Sequence, residues 1–192
     1  HRHALQVLDT AGTADVADYS ASGALTIKLS AMAGSTGDAA GDVVGPDIEI
    51  VKGSLGGATV FWSRDSGNVT LVGGNQDDTF YARGASTQYD GGAGAGDHVT
   101  YVESTGAVTI DLSVASPVGS GGYAQGDTFL NIEKITGSGF NDRLQAGASP
   151  MRFDGGDGND TLTGGGGNDT LLAGSGNDSL VGGGGNDELD FR

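Results

Sequence analysis

The 192-residue chain contains no cysteine, three prolines and one tryptophan, and it has 9 lysines and arginines against 25 aspartates and glutamates. Without cysteine no disulfide can stabilise the fold, and this absence leaves the redox compartment open. Few and scattered basic residues in a chain of net charge −16 argue against a nucleic-acid partner, because phosphate would be repelled. No apolar run approaches the ~20 residues that a membrane-spanning helix needs.

Large apolar residues are also scarce. Leu, Ile, Val and Phe together make up 40 of the 192 residues, which approaches the composition of disordered chains. Glycine, with 38 residues, raises the entropy that is lost when loops become ordered. Hydrophobic burial alone is therefore a weak driving force for folding. We expect bound cations, which would neutralise carboxylates and link acidic loops, to supply the remainder.

The motifs of common catalytic sites are missing. There is no GxSxG elbow, HExxH helix or Walker loop. Of the three histidines, His1 and His3 lie at the terminus, and His98 follows Asp97 at a predicted loop-to-strand step, where we interpret it as solvent-facing. The GGAGAG stretch at 91–96 precedes a predicted strand rather than a helix, which excludes a dinucleotide site. We expect no enzyme activity from this chain; a catalytic domain elsewhere in a longer protein is compatible with it.

Four consecutive nonapeptides occupy residues 155–190, and they read GGDGNDTLT, GGGGNDTLL, AGSGNDSLV and GGGGNDELD. Each has glycine at its second and fourth places, Asn-Asp at its fifth and sixth, and leucine at its eighth. Because a carboxylate and an apolar residue recur together, each unit predicts a metal-binding loop followed by a short strand with its leucine inside. Two units would make one coil, so each loop would lie against the next loop but one.

The chemistry of such a loop favours calcium. A GGxGxD stretch can turn tightly through positive φ angles, directing carbonyl oxygens into a concavity to which aspartate adds a charged oxygen. Ca²⁺ takes six to eight oxygen ligands, more than one loop offers. Asp160 is therefore expected to share an ion with the Asp178 loop, and Asp169 with the Asp187 loop. The predicted ligands at the first, third and sixth places are Gly155, Asp157, Asp160, Gly164, Gly166, Asp169, Ala173, Ser175, Asp178, Gly182, Gly184 and Asp187.

Degenerate copies of the unit precede the strict repeats. Asp142 holds the place that Asp160 holds two units later, which predicts an ion between these two loops. The intervening unit has Met151 at the aspartate place, so no ion is expected there. Units at 73–81 and 91–99 add Asp78 and Asp97 as less regular metal candidates, the second with one extra residue before its aspartate.

The nonapeptides resemble the haemolysin-type calcium-binding repeats of the RTX (repeats-in-toxin) family. Upstream stretches such as GDHVTYVESTGAVTIDLS resemble the degenerate blocks that precede strict repeats in that family, so the resemblance covers residues 8–192. It implies an all-β fold, a right-handed parallel β-roll or β-helix with several Ca²⁺ ions in its glycine-rich loops. It also implies a secreted bacterial protein, extracellular or at the cell surface, exported by a type I system and folded by calcium outside.

A duplication underlies the upstream part. Residues 8–30 parallel 89–113, residues 41–54 parallel 126–138, and residues 73–80 parallel 155–162. We divide the chain into a tail or truncation scar at 1–7, a degenerate block at 8–88, a second related block at 89–145 and strict repeats at 146–192.

Matching residues of the two blocks differ in their chemistry. The first block lacks most loop aspartates, and we expect packing of Phe61 and Trp62 to replace ions there. Glu49 and Glu133 hold matching places, where each would either bind an extra ion or accept hydrogen bonds from a loop. Asp127 likewise would either bind an ion or accept hydrogen bonds from a loop.

Three functions of different classes remain open. The chain is a calcium-binding structural module of a surface layer, adhesin or matrix scaffold, or the non-catalytic repeat domain of a secreted metalloprotease, lipase or alginate epimerase, or an ice- or glycan-binding face. Beyond calcium, the expected partners are copies of the chain, other surface proteins or polysaccharide. The duplicated block favours a scaffold. The third loop places form no threonine ladder, which disfavours ice.

Overall fold

The structure is a computed structural model that describes residues 16–29, 48–65, 67–84 and 86–191, together with the backbone of residues 6–7. Within these ranges the chain forms eighteen β-strands and one 3-10 turn, Gly122–Ala124, with no α-helix. No helix among these residues is long and apolar enough to cross a membrane. The strands are β1 Gln6–Val7, β2 Val16–Asp18, β3 Leu25–Lys28, β4 Ile50–Lys52, β5 Thr59–Trp62, β6 Val69–Gly74, β7 Thr79–Tyr81, β8 Thr87–Gly92, β9 His98–Thr100, β10 Thr109–Asp111, β11 Thr128–Leu130, β12 Lys134–Thr136, β13 Arg143–Gln145, β14 Arg152–Asp154, β15 Thr161–Gly165, β16 Thr170–Leu172, β17 Ser179–Gly183 and β18 Glu188–Asp190.

The strands form three sheets with parallel pairing between successive coils. Sheet A has the order β1-β2-β4-β6-β8-β11, sheet B has β3-β5-β7-β9-β12-β14-β16-β18, and sheet C has β10-β13-β15-β17. Among the described strands only β1 and β2 pair antiparallel. Sheet B extends through both parts of the chain, while the strands that alternate with it belong first to sheet A and then to sheet C. The predicted parallel β-roll is confirmed.

The coil period of the C-terminal half matches the nonapeptide spacing. Strands β12 to β18 alternate between sheets B and C, and partners in one sheet lie two nonapeptides apart in sequence. Leu144 pairs with Leu162 and Leu162 with Leu180, while Phe153 pairs with Leu171. These inward side chains form a narrow column of single apolar residues, fully buried up to Leu171. Two nonapeptides therefore make one coil, as predicted.

The N-terminal half has longer and less regular coils. Leu25 pairs with Thr59 across a long coil, whereas Thr79 pairs with His98 across a coil that is one residue longer than two nonapeptides. This longer coil accommodates the extra residue predicted before Asp97. The core here is aromatic, with ring centroids of Phe61 and Phe80 at 5.0 Å.

Aromatic packing also occurs on the outer face of sheet B, where the rings of Trp62 and Tyr81 stack with their centroids 4.1 Å apart. Such aromatic pairs contribute about 0.5–1.5 kcal/mol each beyond burial. The expected packing of Phe61 and Trp62 in the first block is therefore present.

Strands at matching places of the two blocks lie in different sheets. Strand β4 belongs to sheet A, but its sequence counterpart β12 belongs to sheet B; likewise β5 is in sheet B and β13 in sheet C. The second block is therefore displaced by half a coil relative to the first. Sheet B crosses both block boundaries, and the division into sequence blocks stays a prediction. Residues 1–5, 8–15, 30–47, 66, 85 and 192, which that division includes, lie outside the described residues.

Candidate metal-binding loops

Each loop aspartate is held by the coil before it. Each of these aspartates immediately precedes a strand. Its Oδ1 accepts the backbone N–H of the residue at the same place one coil earlier. Asp160 Oδ1 accepts from Asp142 N–H at 2.8 Å, Asp178 Oδ1 from Asp160 N–H at 2.8 Å, and Asp187 Oδ1 from Asp169 N–H at 3.0 Å. Asp97 Oδ1 accepts from Asp78 N–H at 2.7 Å. We call these rows the aspartate ladders. They fix the direction of every carboxylate.

The other carboxylate oxygen lacks a partner in four of these residues. The Oδ2 atoms of Asp78, Asp97, Asp160 and Asp169 are buried and accept no hydrogen bond. All four residues are at most 1% exposed. Burying a carboxylate oxygen without a donor or a cation is costly, because the lost hydration is not replaced. Each of these atoms therefore marks a place where a positive charge would be stabilising.

A carbonyl oxygen of the following coil converges on three of these four unpartnered oxygens, those of Asp78, Asp160 and Asp169. A Cβ placed on Gly155 would strike both Asp160 Oδ2 and the carbonyl oxygen of Ala173. A Cβ on Gly164 would likewise strike Asp169 Oδ2 and the carbonyl oxygen of Gly182. The first glycine of a unit thus leaves open a small space lined by oxygens of two loops from successive coils. Gly73 does the same for Asp78 Oδ2 and the Gly91 carbonyl.

These donors fit a hard divalent cation. The converging atoms are carboxylate and backbone carbonyl oxygens, the ligands that Ca²⁺ prefers, whereas softer transition metals favour nitrogen and sulfur. No group of three or more His, Cys, Asp or Glu side chains that could hold a metal occurs among the described residues. A site here would therefore depend on backbone carbonyls for much of its coordination.

A sequence model of the RTX calcium-binding nonapeptide repeat matches the chain in four copies, at residues 65–89 and 154–189. The chain carries RTX repeats. RTX repeats bind Ca²⁺ and build parallel β-rolls, which agrees with the observed sheets and with the oxygen-lined spaces. They are structural and non-catalytic elements. A comparison with curated proteins found no match.

Electrostatics in the RTX loops favours a bound cation. Burial, assisted by the neighbouring Asp142 and Asp178 carboxylates, raises the pKa of Asp160 to about 6. Burial likewise raises the pKa of Asp78 to about 7 and that of Asp97 to about 6, and it raises the pKa of Asp169. A cation beside these carboxylates would oppose this effect by stabilising their charged forms.

Asp142 differs from the other predicted ligands because its carboxylate is already satisfied. The Ser138 hydroxyl donates to Oδ1 at 2.8 Å, and Val108 N–H donates to the same oxygen at 2.7 Å. Ser138 N–H also donates to Oδ2 at 2.5 Å. Ser138 stands at the second place of this unit, where the strict RTX repeats have glycine. The predicted ion between the Asp142 and Asp160 loops therefore has to compete with these donors.

The third-place residues lie on the exposed rim of the loops. The carbonyl oxygen of Ser175 accepts the N–H of Gly158 at 2.8 Å, so it already has a partner within the roll. Asp157, Gly166 and Gly184 are exposed. The structure thus brings first-place carbonyls and aspartates together, whereas ligation by the third place stays a prediction.

Met151 stands at the place where its unit lacks the aspartate. The residue is buried and donates its N–H to Asp169 Oδ1 at 2.7 Å. It therefore continues the ladder through its backbone without adding a carboxylate.

Two further acidic residues occupy ladder places that the nonapeptide pattern did not reveal. Asp127 precedes β11 and accepts Thr87 N–H at 2.7 Å and the Tyr101 hydroxyl at 2.8 Å. Glu133 precedes β12, and its Oε2 accepts Asp97 N–H at 3.0 Å. Of the two alternatives for Glu133, the structure shows the hydrogen bond from a loop, and ion binding stays a prediction. The sequence signals were their place just before a predicted strand and, for Glu133, its match to Glu49 in the first block.

His98 is half-buried rather than simply solvent-facing, which corrects the sequence-based interpretation. Its Nε2 lies 2.9 Å from the Thr136 hydroxyl in the neighbouring strand. The cause is the parallel pairing of β9 with β12, which covers the ring from one side.

Proposed function

We propose that this chain is a calcium-dependent structural module of a large secreted or cell-surface bacterial protein, and that it folds on binding Ca²⁺ after type I export. The observation that supports this most is the set of buried, unpartnered Oδ2 atoms of Asp78, Asp160 and Asp169, each facing a carbonyl of the next coil. In the C-terminal half these atoms recur with the RTX period.

The C-terminal half has little else to stabilise it. Its core is a single column of leucines with Phe153, and its loops carry a carboxylate every nine residues. Without a cation, the Asp160 and Asp169 oxygens would face carbonyl oxygens across a dry space, which is repulsive. With Ca²⁺, the same oxygens become ligands that join two coils, so binding free energy becomes folding free energy.

We assign the ligands on this basis. Asp160 and the Ala173 carbonyl would hold one ion, Asp169 and the Gly182 carbonyl a second, and Asp78 and the Gly91 carbonyl a third. The remaining predicted ligands, including Asp178 and Asp187, would contribute through the adjoining loops. Low calcium in the cytosol would keep the chain unfolded for export, and calcium outside the cell would then order it.

A scaffold role is supported over the other two classes. Sheet B continues through the duplicated blocks, as a repetitive structural element would. The asparagines at the fifth places of the strict repeats form an exposed row, but it is less suited to an ice-binding face because their amide oxygens accept hydrogen bonds from the next coil. Asn159 Oδ1 accepts Asn177 N–H, and Asn168 Oδ1 accepts Asn186 N–H, each at 2.8 Å.

The decisive experiment compares the chain in chelator, in millimolar Ca²⁺ and in the same concentration of Mg²⁺, which controls for ionic screening. Circular dichroism and limited proteolysis should show a strand-rich, protease-resistant roll in Ca²⁺ only. Equal ellipticity and equal protease resistance in chelator and in Ca²⁺ would refute the proposal.

A further inference from the structure

We infer that Asp97, Asn131 and Glu133 form an additional calcium site, built from residues outside the segments that match the RTX repeat. The inference rests on the proposed calcium-dependent function and extends it to the irregular middle of the chain. It follows from three observations on the space between the 93–97 loop and the turn before β12.

Asp97 presents an unpartnered carboxylate oxygen to this space. The residue is fully buried, and its Oδ1 accepts Asp78 N–H at 2.7 Å. Its Oδ2 accepts no hydrogen bond. This arrangement is the same as that of Asp160 and Asp169 in the strict repeats.

Asn131 supplies the facing carbonyl. A Cβ placed on Gly91 would strike the Asn131 carbonyl oxygen and the Cβ and Cγ of Asp97, so this carbonyl lies beside the Asp97 side chain. Asp97 Oδ2 itself is closest to a Cβ placed on Gly94, within the same loop. Asn131 has a φ of 52°, in the left-handed region that non-glycine residues rarely adopt. Its side-chain amide donates to Asp90 Oδ1 at 2.9 Å and holds this turn. Asn131 thus supplies the carbonyl that the first residue of a nonapeptide supplies elsewhere, although no nonapeptide is present.

Glu133 continues the aspartate ladder above Asp97. Its Oε2 accepts Asp97 N–H at 3.0 Å, as an aspartate Oδ1 does elsewhere. No residue that the structure describes donates a hydrogen bond to its Oε1. The carboxyl groups of Asp97 and Glu133, from consecutive coils, and the Asn131 carbonyl therefore lie next to one another, a hard oxygen set that suits Ca²⁺.

Lys134 lies close by but does not occupy this space. A Cβ on Gly96 would meet the Lys134 ammonium together with Asp77 Oδ2, whereas Lys134 is not among the nearest neighbours of a Cβ on Gly91. No salt bridge joins Lys134 to Asp97 in the described part of the chain. The ammonium therefore reduces the negative charge around the site without partnering Asp97 Oδ2, and its removal should strengthen calcium binding.

The test counts bound Ca²⁺ in the whole chain by native mass spectrometry and measures the affinities by calorimetry. Glu133→Gln, which keeps the shape and the hydrogen-bond acceptor, should lose one ion or weaken one site by at least about tenfold while the other sites are unchanged. Asp18→Asn, which removes an equal charge from a partly exposed carboxylate paired with Lys52, is the control and should bind as the unaltered chain does. Lys134→Met should bind the same number of ions, one of them more tightly.

The inference is overturned if Glu133→Gln retains both the ion count and the affinities of the unaltered chain. If Glu133→Gln does not fold in saturating Ca²⁺, Lys134→Met decides: tighter binding at one site supports the inference, and unchanged affinities reject it. Failure of the unaltered chain to bind Ca²⁺ at all would instead reject the proposed function itself, so the two failures can be told apart.

Discussion

Asp160 donates its backbone N–H to the Oδ1 of Asp178 at 2.8 Å, while the Oδ2 of Asp160 has no partner. In such a ladder the two oxygens of the carboxylate therefore have different structural roles. One oxygen aligns the coil with its neighbour, and the other is directed into the glycine space between two loops. The consequences can be tested by changing the carboxylate, the space or the pH.

Replacing Asp169 with alanine should weaken folding in calcium much more than it changes the chain without calcium. In Ca²⁺ it removes a ligand, so the calcium concentration needed for folding should rise several-fold. In chelator it removes an unpartnered buried oxygen, which is favourable, and also the acceptor of the Met151 N–H, which is unfavourable, so the apo chain should change little in stability. Calcium titrations followed by circular dichroism measure both effects.

Asp18→Ala is the matched control. Asp18 is partly exposed and forms a 3.7 Å ion pair with Lys52, a type of contact that contributes about 0–1 kcal/mol. The calcium midpoint should hardly move. Equal shifts for the two variants would contradict the ligand assignment.

Filling the glycine space should block an ion without removing any ligand. A Cβ at Gly164 would occupy the space between Asp169 Oδ2 and the Gly182 carbonyl, so Gly164→Ala should bind one Ca²⁺ fewer. Gly139→Ala has nothing within 4 Å of its new Cβ and serves as the control. Ion counting by native mass spectrometry distinguishes them. A full complement of ions in Gly164→Ala would show that the ion does not use this space.

Calcium binding should weaken as the pH falls through 7 to 6. In the folded roll, burial raises the pKa of Asp78 to about 7 and the pKa values of Asp97 and Asp160 to about 6, so any loop that is folded without its cation holds protons on these carboxylates at mildly acid pH. Each bound Ca²⁺ must displace those protons. Calorimetry at pH 8 and pH 6 should therefore give lower affinity and more released protons at pH 6. An affinity independent of pH over this range would count against buried carboxylates as ligands.

Asp127 should make the fold less stable as the pH rises. Burial raises its pKa to about 7, against hydrogen bonds from Thr87 and Tyr101 that lower it. Because the folded-state pKa exceeds the unfolded value of about 3.8, the folded state binds the proton more tightly. This contribution to stability is fully present below about pH 4 and is lost as the pH rises towards 7.

The measurement is urea denaturation at pH 5 and pH 8 in saturating Ca²⁺, for the unaltered chain and for Asp127→Asn. The variant has no titrating group at this position, so its loss of stability between the two pH values should be smaller. The calcium loops are the same in both chains and act as an internal reference. Identical pH dependence would show that Asp127 stays charged in the fold.

Regular periodicity was enough to predict much of this protein. The nine-residue spacing of Asp160 and Asp169, with Leu162 and Leu171 in phase, predicted the parallel roll, the coil of two nonapeptides and the pairing of loops. A strict repeat can predict register because each coil must bury its leucine and stack its loop in the same way as the last.

Periodicity did not predict the structure of the irregular middle of the chain. The tertiary structure alone brought Asn131 and Glu133 to Asp97, placed Asp127 against Tyr101, and put β4 and β12 in different sheets. The segment between β9 and β12 has no constant period. Its path therefore depends on long-range strand pairing, which no local sequence pattern predicts. Composition and repeats thus determined what kind of roll forms and which cation it suits, whereas packing decided which oxygens meet where the repeat breaks down.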